Sequence, residues 1–111
     1  MPPKRKYGSR IVRDADGNVF HSAGELARWR DLKLLEAAGE ITDLKRQQPI
    51  VLQGRDGPVR YDNGRTAKLI VDFTYVRDGV LIREDFKGYE PHVSKLKRAI
   101  ARAQGINVEL V

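Results

Sequence analysis

The 111-residue chain contains no cysteine. Disulfides, zinc thiolate sites and cysteine nucleophiles are therefore excluded. Its two histidines, His21 and His92, stand far apart and form no spaced metal-ligand motif. No run of about 18 apolar residues is present, so no membrane-spanning helix is expected. The basic start, Met1 to Lys6, is followed by no apolar stretch of the kind a secretory signal needs. An intracellular, cytoplasmic protein is the expectation. Walker loops, zinc fingers and dinucleotide-binding glycine fingerprints are missing as well. The length is that of one domain of roughly 150 residues or fewer, which rules out an enzyme built from two substantial domains in this chain.

What is present is charge. Lys plus Arg number 21 against 15 Asp plus Glu, a net charge of +6. Such a balance makes a polyanion such as nucleic acid a natural partner, although many basic domains bind none. Residues 1–9 read as a flexible basic arm carrying Lys4, Arg5 and Lys6, either a solubilising tail or a phosphate-contacting arm. Residues 10–111 then form a single domain.

Hydropathy patterning predicts the order β-β-α-β-(β)-β-β-α-β. Short strands at 10–13 and 18–20 flank Asp14-Ala15-Asp16-Gly17, a hairpin turn. Ser22 is a good N-cap for a helix over 23–38, with Glu25 three residues later as in a capping box. Leu26, Trp29, Leu32 and Leu35 supply its apolar face, and Gly39 its stop. Residues 41–49 read as a polar connection and 50–53 as a short strand, with a weak strand at 58–61. Strands follow at 67–76 and 80–87, joined by Arg77-Asp78-Gly79. A second helix spans 92–104 with Leu96, Ala99, Ile100 and Ala103 as its apolar stripe. A last strand, 106–111, must sit near the sheet edge or pair in parallel, because a helix separates it from its predecessor.

The chemistry-bearing residues lie in the long hairpin. Asp72 interrupts the apolar run 69–73, where an unpartnered carboxylate would be costly. Strand parity places it with Ile70 and Thr74, facing either solvent, an arginine or a ligand. Asp85 and Lys87 share a face of the neighbouring strand. Two carboxylates on adjacent strands can hold Mg²⁺ or Mn²⁺, with the Phe86 carbonyl as a further ligand. Lys87 is then placed to stabilise charge on a phosphate under attack. Asp85 is preferred to Glu84, which points with Ile82 and Phe86 and has the simpler fate of pairing with a basic side chain. Glu25 is explained by the cap but could also lean toward the metal. Helix two carries Lys95, Arg98 and Arg102 at spacings of three and four, with His92 and Ser94 at its start. These residues form either a solvated face or a track for DNA phosphates.

The stretch from Phe20 to Ile41, with Leu44, Gln48, Pro49, Val71-Asp72-Phe73 and Glu84-Asp85-Phe86-Lys87-Gly88, resembles a group of small phage-encoded proteins that look like members of the PD-(D/E)xK nuclease superfamily. The likeness spans roughly residues 7 to 110. A weaker, architectural likeness extends to phage Holliday-junction-resolving endonucleases and to the transposon end-cleaving nuclease TnsA. The resemblance implies a restriction-endonuclease-like α/β (α+β) core, a central mixed sheet flanked by two helices, here with an N-terminal hairpin. It implies a Mg²⁺- or Mn²⁺-dependent DNA endonuclease, a homodimer, acting in the cytoplasm of a phage's bacterial host, for instance on recombination intermediates. Residue by residue, it makes Glu25 the first-helix acid, Asp72 the motif aspartate, Asp85 and Lys87 the acidic-x-Lys element, and Gln48 a supporting polar group. Val71 stands where the motif has proline, and Gly24 interrupts the helix at a cost of roughly 1 kcal/mol against alanine. A DNA-binding accessory protein without turnover is the competing reading. An RNA-binding assembly factor would leave the acidic cluster unexplained.

Overall fold

The first helix begins where its cap predicts. Ser22 Oγ accepts the Glu25 N–H at 3.1 Å, opening α1 over Ala23–Ala37. At its far end Gly39 takes φ +78°, the left-handed conformation that favours glycine after a helix. The computed structural model describes residues 11–86, 88 and 90–111. The arm with Lys4, Arg5 and Lys6, and also Lys87 and Tyr89, lie outside the described residues.

Ahead of α1, β1 (Val12–Arg13) and β2 (Val19–Phe20) form a small antiparallel hairpin. Asp14 organises its turn. Its carboxylate accepts the N–H groups of Asp16 and Asn18 and the Asn18 side-chain amide. The hairpin is tied to the main sheet by Arg46, whose guanidinium lies 3.8 Å from the Phe20 ring centroid and donates to the Val19 carbonyl.

Beyond α1 come β3 (Thr42–Val51), β4 (Gln53–Gly54), β5 (Gly57–Pro58), β6 (Lys68–Arg77), β7 (Val80–Asp85), α2 (His92–Ala103) and β8 (Glu109–Leu110). The central sheet runs β3-β6-β7-β8 and is mixed: the first three strands are antiparallel, and β8 joins β7 in parallel. β4 and β5 make a separate two-stranded ribbon.

Two expectations change here. The polar connection at 41–49 is the greater part of β3, a ten-residue strand paired along β6. An edge strand has one unpaired side and tolerates Pro49 and a polar sequence, which hid its periodicity. Its register also shifts between Thr42 and Lys45, and Asp43 and Gln47 take positive φ. In α2 the stripe falls elsewhere: Ala101 is fully buried and Ile100 packs beside it, whereas Leu96 is 52% exposed and Ala103 is exposed. Only the C-terminal part of this helix meets the sheet core; its N-terminal part borders a cleft.

The core forms two clusters along β6. Leu69 and Val71 pack with Ile50, Leu52, Ala67, Ala101 and Val108. Phe73 and Tyr75 pack with Leu32 and Ile41, with Trp29 stacked on Phe73 at 6.1 Å. All four β6 residues are odd-numbered, so alternation turns Asp72 to the opposite face. The core thereby fixes where that carboxylate must point.

Candidate metal centre

Glu25 is the most buried acid of the site, 2% exposed. Its two oxygens do different work. Oε2 accepts the His21 N–H at 2.6 Å, satisfying a donor at the helix entry. Oε1 accepts from the Gln47 side-chain amide at 3.4 Å and faces Asp72. Capping and site therefore do not compete: each takes one oxygen. Burial, reinforced by the Asp72 carboxylate, pushes Glu25 up to about 7. The adjoining Gly24 is required by packing. A Cβ there would lie 2.2 Å from Phe86 Cζ, so any larger residue at position 24 would have to displace the Phe86 ring.

Asp72 and Asp85 meet where β6 and β7 part. The antiparallel register ends at Phe73 opposite Glu84. One step further, side chains take over from the ladder. The Asp72 N–H donates to Asp85 Oδ1 at 2.7 Å, and the Phe86 N–H donates to Asp72 Oδ2 at 2.9 Å. β7 continues instead alongside β8, with Val111 N–H donating to the Asp85 carbonyl at 2.9 Å. The two carboxylates are thus held by backbone donors. Burial pushes Asp85 up to about 6; the Asp72 N–H opposes the rise and the Asp72 charge adds to it.

The supporting amide belongs to Gln47, not Gln48. Gln48 lies in register with Val71, and its Nε2 donates to the Arg46 carbonyl at 2.8 Å. Gln47 faces Asp72 across the strand pair, and its Nε2 donates to Asp72 Oδ1 at 3.3 Å as well as to Glu25. Its φ of +51° breaks the strand's alternation, so simple parity could not choose between the two glutamines. His21 was also missed. A ring nitrogen of His21 and oxygens of Glu25 and Asp72 all lie within 4.8 Å of one another. A usable signal was its position four residues before Glu25, across the helix cap.

Glu84 has no part in this cluster. Its carboxylate is fully buried on the core face and accepts Arg28 Nε at 2.7 Å, Arg28 Nη2 at 3.1 Å and the Tyr75 hydroxyl at 2.7 Å. The forked pair fastens α1 to β7.

An open cleft of about 870 Å³ lies over the carboxylates. Asp72, Asp85, Glu25 and Phe86 line one part of it; Lys95, Arg98, Ser94 and Glu90 line the α2 side. Arg98 is paired with Glu90 through a charged hydrogen bond. His92 and Arg102 are exposed on α2 and do not line the cleft. Of the phosphate track expected on this helix, Lys95 and Arg98 face the carboxylates. α2 begins after Pro91 with no side-chain cap, and Pro91, Val93 and Ser94 at its start line the cleft.

A family model described as Protein of unknown function (DUF1064) matches residues 4–111. The chain belongs to the DUF1064 family. No curated protein and no solved structure matches it. The DUF1064 match covers the hairpin, both helices and every described residue of the cleft, so the carboxylate cluster lies wholly within the family's domain. Among the described residues of this DUF1064 chain, no helix is long and apolar enough to cross a membrane.

Proposed function

We propose that this DUF1064 chain is a divalent-metal-dependent endonuclease with a restriction-endonuclease-like core, hydrolysing DNA phosphodiester bonds. One observation carries the reading. Carboxylates from three separate elements, Glu25 of α1, Asp72 of β6 and Asp85 of β7, line one open cleft whose other wall bears Lys95 and Arg98, with Glu25 and Asp72 oxygens within 4.8 Å of each other. Convergence from distant parts of the chain is costly: burial, with the Asp72 charge adding to it, pushes Glu25 and Asp85 upward. Arg98 and Arg46 offset part of this charge, Arg98 at Asp85 and Arg46 at Glu25, without reversing either rise.

The donor set fits a hard divalent cation, which favours several carboxylate oxygens beside water and phosphate. Glu25, Asp72 and Asp85 would hold it, joined by the Phe86 carbonyl. When bound, such a cation lowers the pKa of a water and offsets negative charge on the phosphate. The chain's own groups do the rest. Gln47 donates to both Glu25 and Asp72 and fixes their mutual orientation. The backbone N–H groups of Asp72 and Phe86 prevent the two strand carboxylates from rotating away. Lys95 and Arg98 attract and position the DNA backbone, a contact that carries no sequence information. Lys87, two residues after Asp85, completes the acidic-x-Lys element and would stabilise charge developing on the phosphate. Cutting both strands of a branch needs two such sites, so the proposed unit on a four-way junction is a homodimer.

The test is cleavage of linear duplex, single-stranded and four-way-junction DNA with Mg²⁺ or Mn²⁺, beside Asp72→Asn and Lys87→Ala chains. Metal-dependent products from the intact protein, and at least about 100-fold fewer from either variant, are expected, the loss typical of removing one charge-stabilising group. Tight binding with no products on any substrate would overturn the enzyme reading in favour of a DNA-binding accessory role.

A further inference from the structure

The metal site has a nitrogen donor beside its carboxylates. His21 sits immediately before the Ser22 cap, and its N–H is fixed to Glu25 Oε2 at 2.6 Å. That bond anchors the residue's backbone to the very carboxylate its ring approaches. A ring nitrogen of His21, an oxygen of Glu25 and an oxygen of Asp72 fall within a 4.8 Å span, a size that one cation can bridge. The helix entry thus supplies two donors four residues apart, and β6 supplies the third. His21 also lines the cleft, so the same ring faces the space a phosphate would enter.

We propose that His21 is a ligand of this cation, and that its imidazole makes the site select Mn²⁺ over Mg²⁺. The inference deepens the nuclease reading and rests on it for what the cation does. Mg²⁺ demands oxygen in near-ideal octahedral geometry and keeps several of its waters, so an imidazole adds little to its binding. First-row transition cations accept imidazole nitrogen more readily than Mg²⁺ does, Mn²⁺ the least strongly of that series. Exchanging one oxygen donor for His21 therefore tightens Mn²⁺ while leaving Mg²⁺ nearly where it was. Glu25 and Asp72 supply the charge that any divalent cation needs; His21 supplies the discrimination.

The experiment uses the full chain with each metal alone, without DNA. Mn²⁺ binding is followed by electron paramagnetic resonance, Mg²⁺ by its competition with Mn²⁺, and direct coordination by the ¹⁴N coupling that a ligated imidazole imposes on Mn²⁺. The intact chain should bind Mn²⁺ with nitrogen coupling. A His21→Asn chain keeps a neutral oxygen donor at the position; it should lose the coupling and bind Mn²⁺ at least about 10-fold more weakly, the loss that removal of even a supporting partner brings. Its preference for Mn²⁺ over Mg²⁺ should shrink by the same factor, and its thermal unfolding without metal should match the intact chain. The other histidine is His92, so a His92→Ala chain that retains the coupling assigns it to His21.

Mn²⁺ bound without nitrogen coupling would overturn the inference, as would an unchanged metal preference in His21→Asn. DNA cleavage that persists alongside either result would leave the nuclease reading standing. Nitrogen-coupled Mn²⁺ with no DNA cleavage by either cation would do the reverse, keeping the site and removing the nuclease. An intact chain that binds neither cation would overturn both.

Discussion

Two carboxylates one residue apart on β7 point to opposite faces of the sheet, and among the described residues only Glu84 is held in an ion pair. Glu84 is fully buried and saturated: both oxygens are occupied by the Arg28 fork, and Tyr75 adds a third hydrogen bond. Asp85 faces Asp72, accepts one backbone N–H there, and is pushed up to about 6. The same contrast holds between the elements around them. The core face joins α1 to β7 through a completed ion pair. The cleft face gathers Glu25, Asp72 and Asp85 with Gln47 as their shared amide donor and the basic side chains of α2 across the cleft. A fold that can neutralise one carboxylate so thoroughly leaves three others along the cleft, Asp72 between Glu25 and Asp85. The difference separates the charge that serves the scaffold from those we propose to hold a cation.

The largest effect should come from breaking the completed side. Arg28→Ala leaves Glu84 buried without its cation and should cost about 3–5 kcal/mol of stability, read as a drop in the urea midpoint. Arg28→Met combined with Glu84→Gln removes both charges, keeps an acceptor for Tyr75, and should cost much less. On the cleft side the sign reverses. Asp72→Asn removes a like charge beside Glu25 and should leave metal-free stability at pH 7 unchanged or raised. Equal losses on the two faces would erase the distinction.

A smaller effect sharpens the comparison through pH. Glu25 rises from 4.5 to about 7 and Asp85 from 3.8 to about 6. For a carboxyl whose folded value is raised, the folded state holds its proton longer than the unfolded one. The stabilisation is complete below the unfolded values and is lost as pH rises toward the folded ones. With chelator present, stability should fall as pH rises from about 4 to about 7. Thermal unfolding across that range checks it. Mn²⁺ in excess should restore the loss at pH 7, because it binds the folded carboxylates and not the dispersed ones. Asp72→Asn should flatten the profile.

Much of this arrangement was legible in the sequence, and the gaps have physical causes. Ser22 with Glu25 announced the start of α1, and parity about Asp72 and Asp85 placed both on one face of the hairpin. Alternation is reliable there because Val71 and Phe73 are fully buried on the other side. β3 was hidden because an edge strand bearing Lys45, Arg46, Gln47, Gln48 and Pro49 has no apolar alternation to display. Its positive φ at Gln47 then moved the supporting amide by one residue. The α2 stripe misled for a different reason. Helical spacing identifies residues that share a face, but not how much of the helix length meets a core. Leu96 lies on the part that borders the cleft, and so it stays exposed. His21 was discounted for lacking a second histidine nearby, although its partners are carboxylates brought in by the helix cap and by β6.

The finest test of the comparison is the Tyr75 hydroxyl, which touches only the completed side. Tyr75→Phe removes one hydrogen bond to Glu84 and leaves the Arg28 fork in place. Because the acceptor is charged but still doubly bonded, the loss should be about 1–1.5 kcal/mol, at the low end for such bonds. It should leave Mn²⁺ affinity unchanged, since Glu84 and Asp85 face apart. Tyr75 also carries its own pH signature. Burial and the Glu84 carboxylate push it from 10.0 up to about 12. Its raised folded value means stabilisation that is complete below pH 10 and lost as pH climbs toward 12. The intact chain should therefore lose more stability over that interval than Tyr75→Phe, and the two unfolding curves should converge as pH rises. Curves that stay parallel would mean the hydroxyl is solvated rather than held by Glu84, and the core-side network would then be weaker than its geometry indicates.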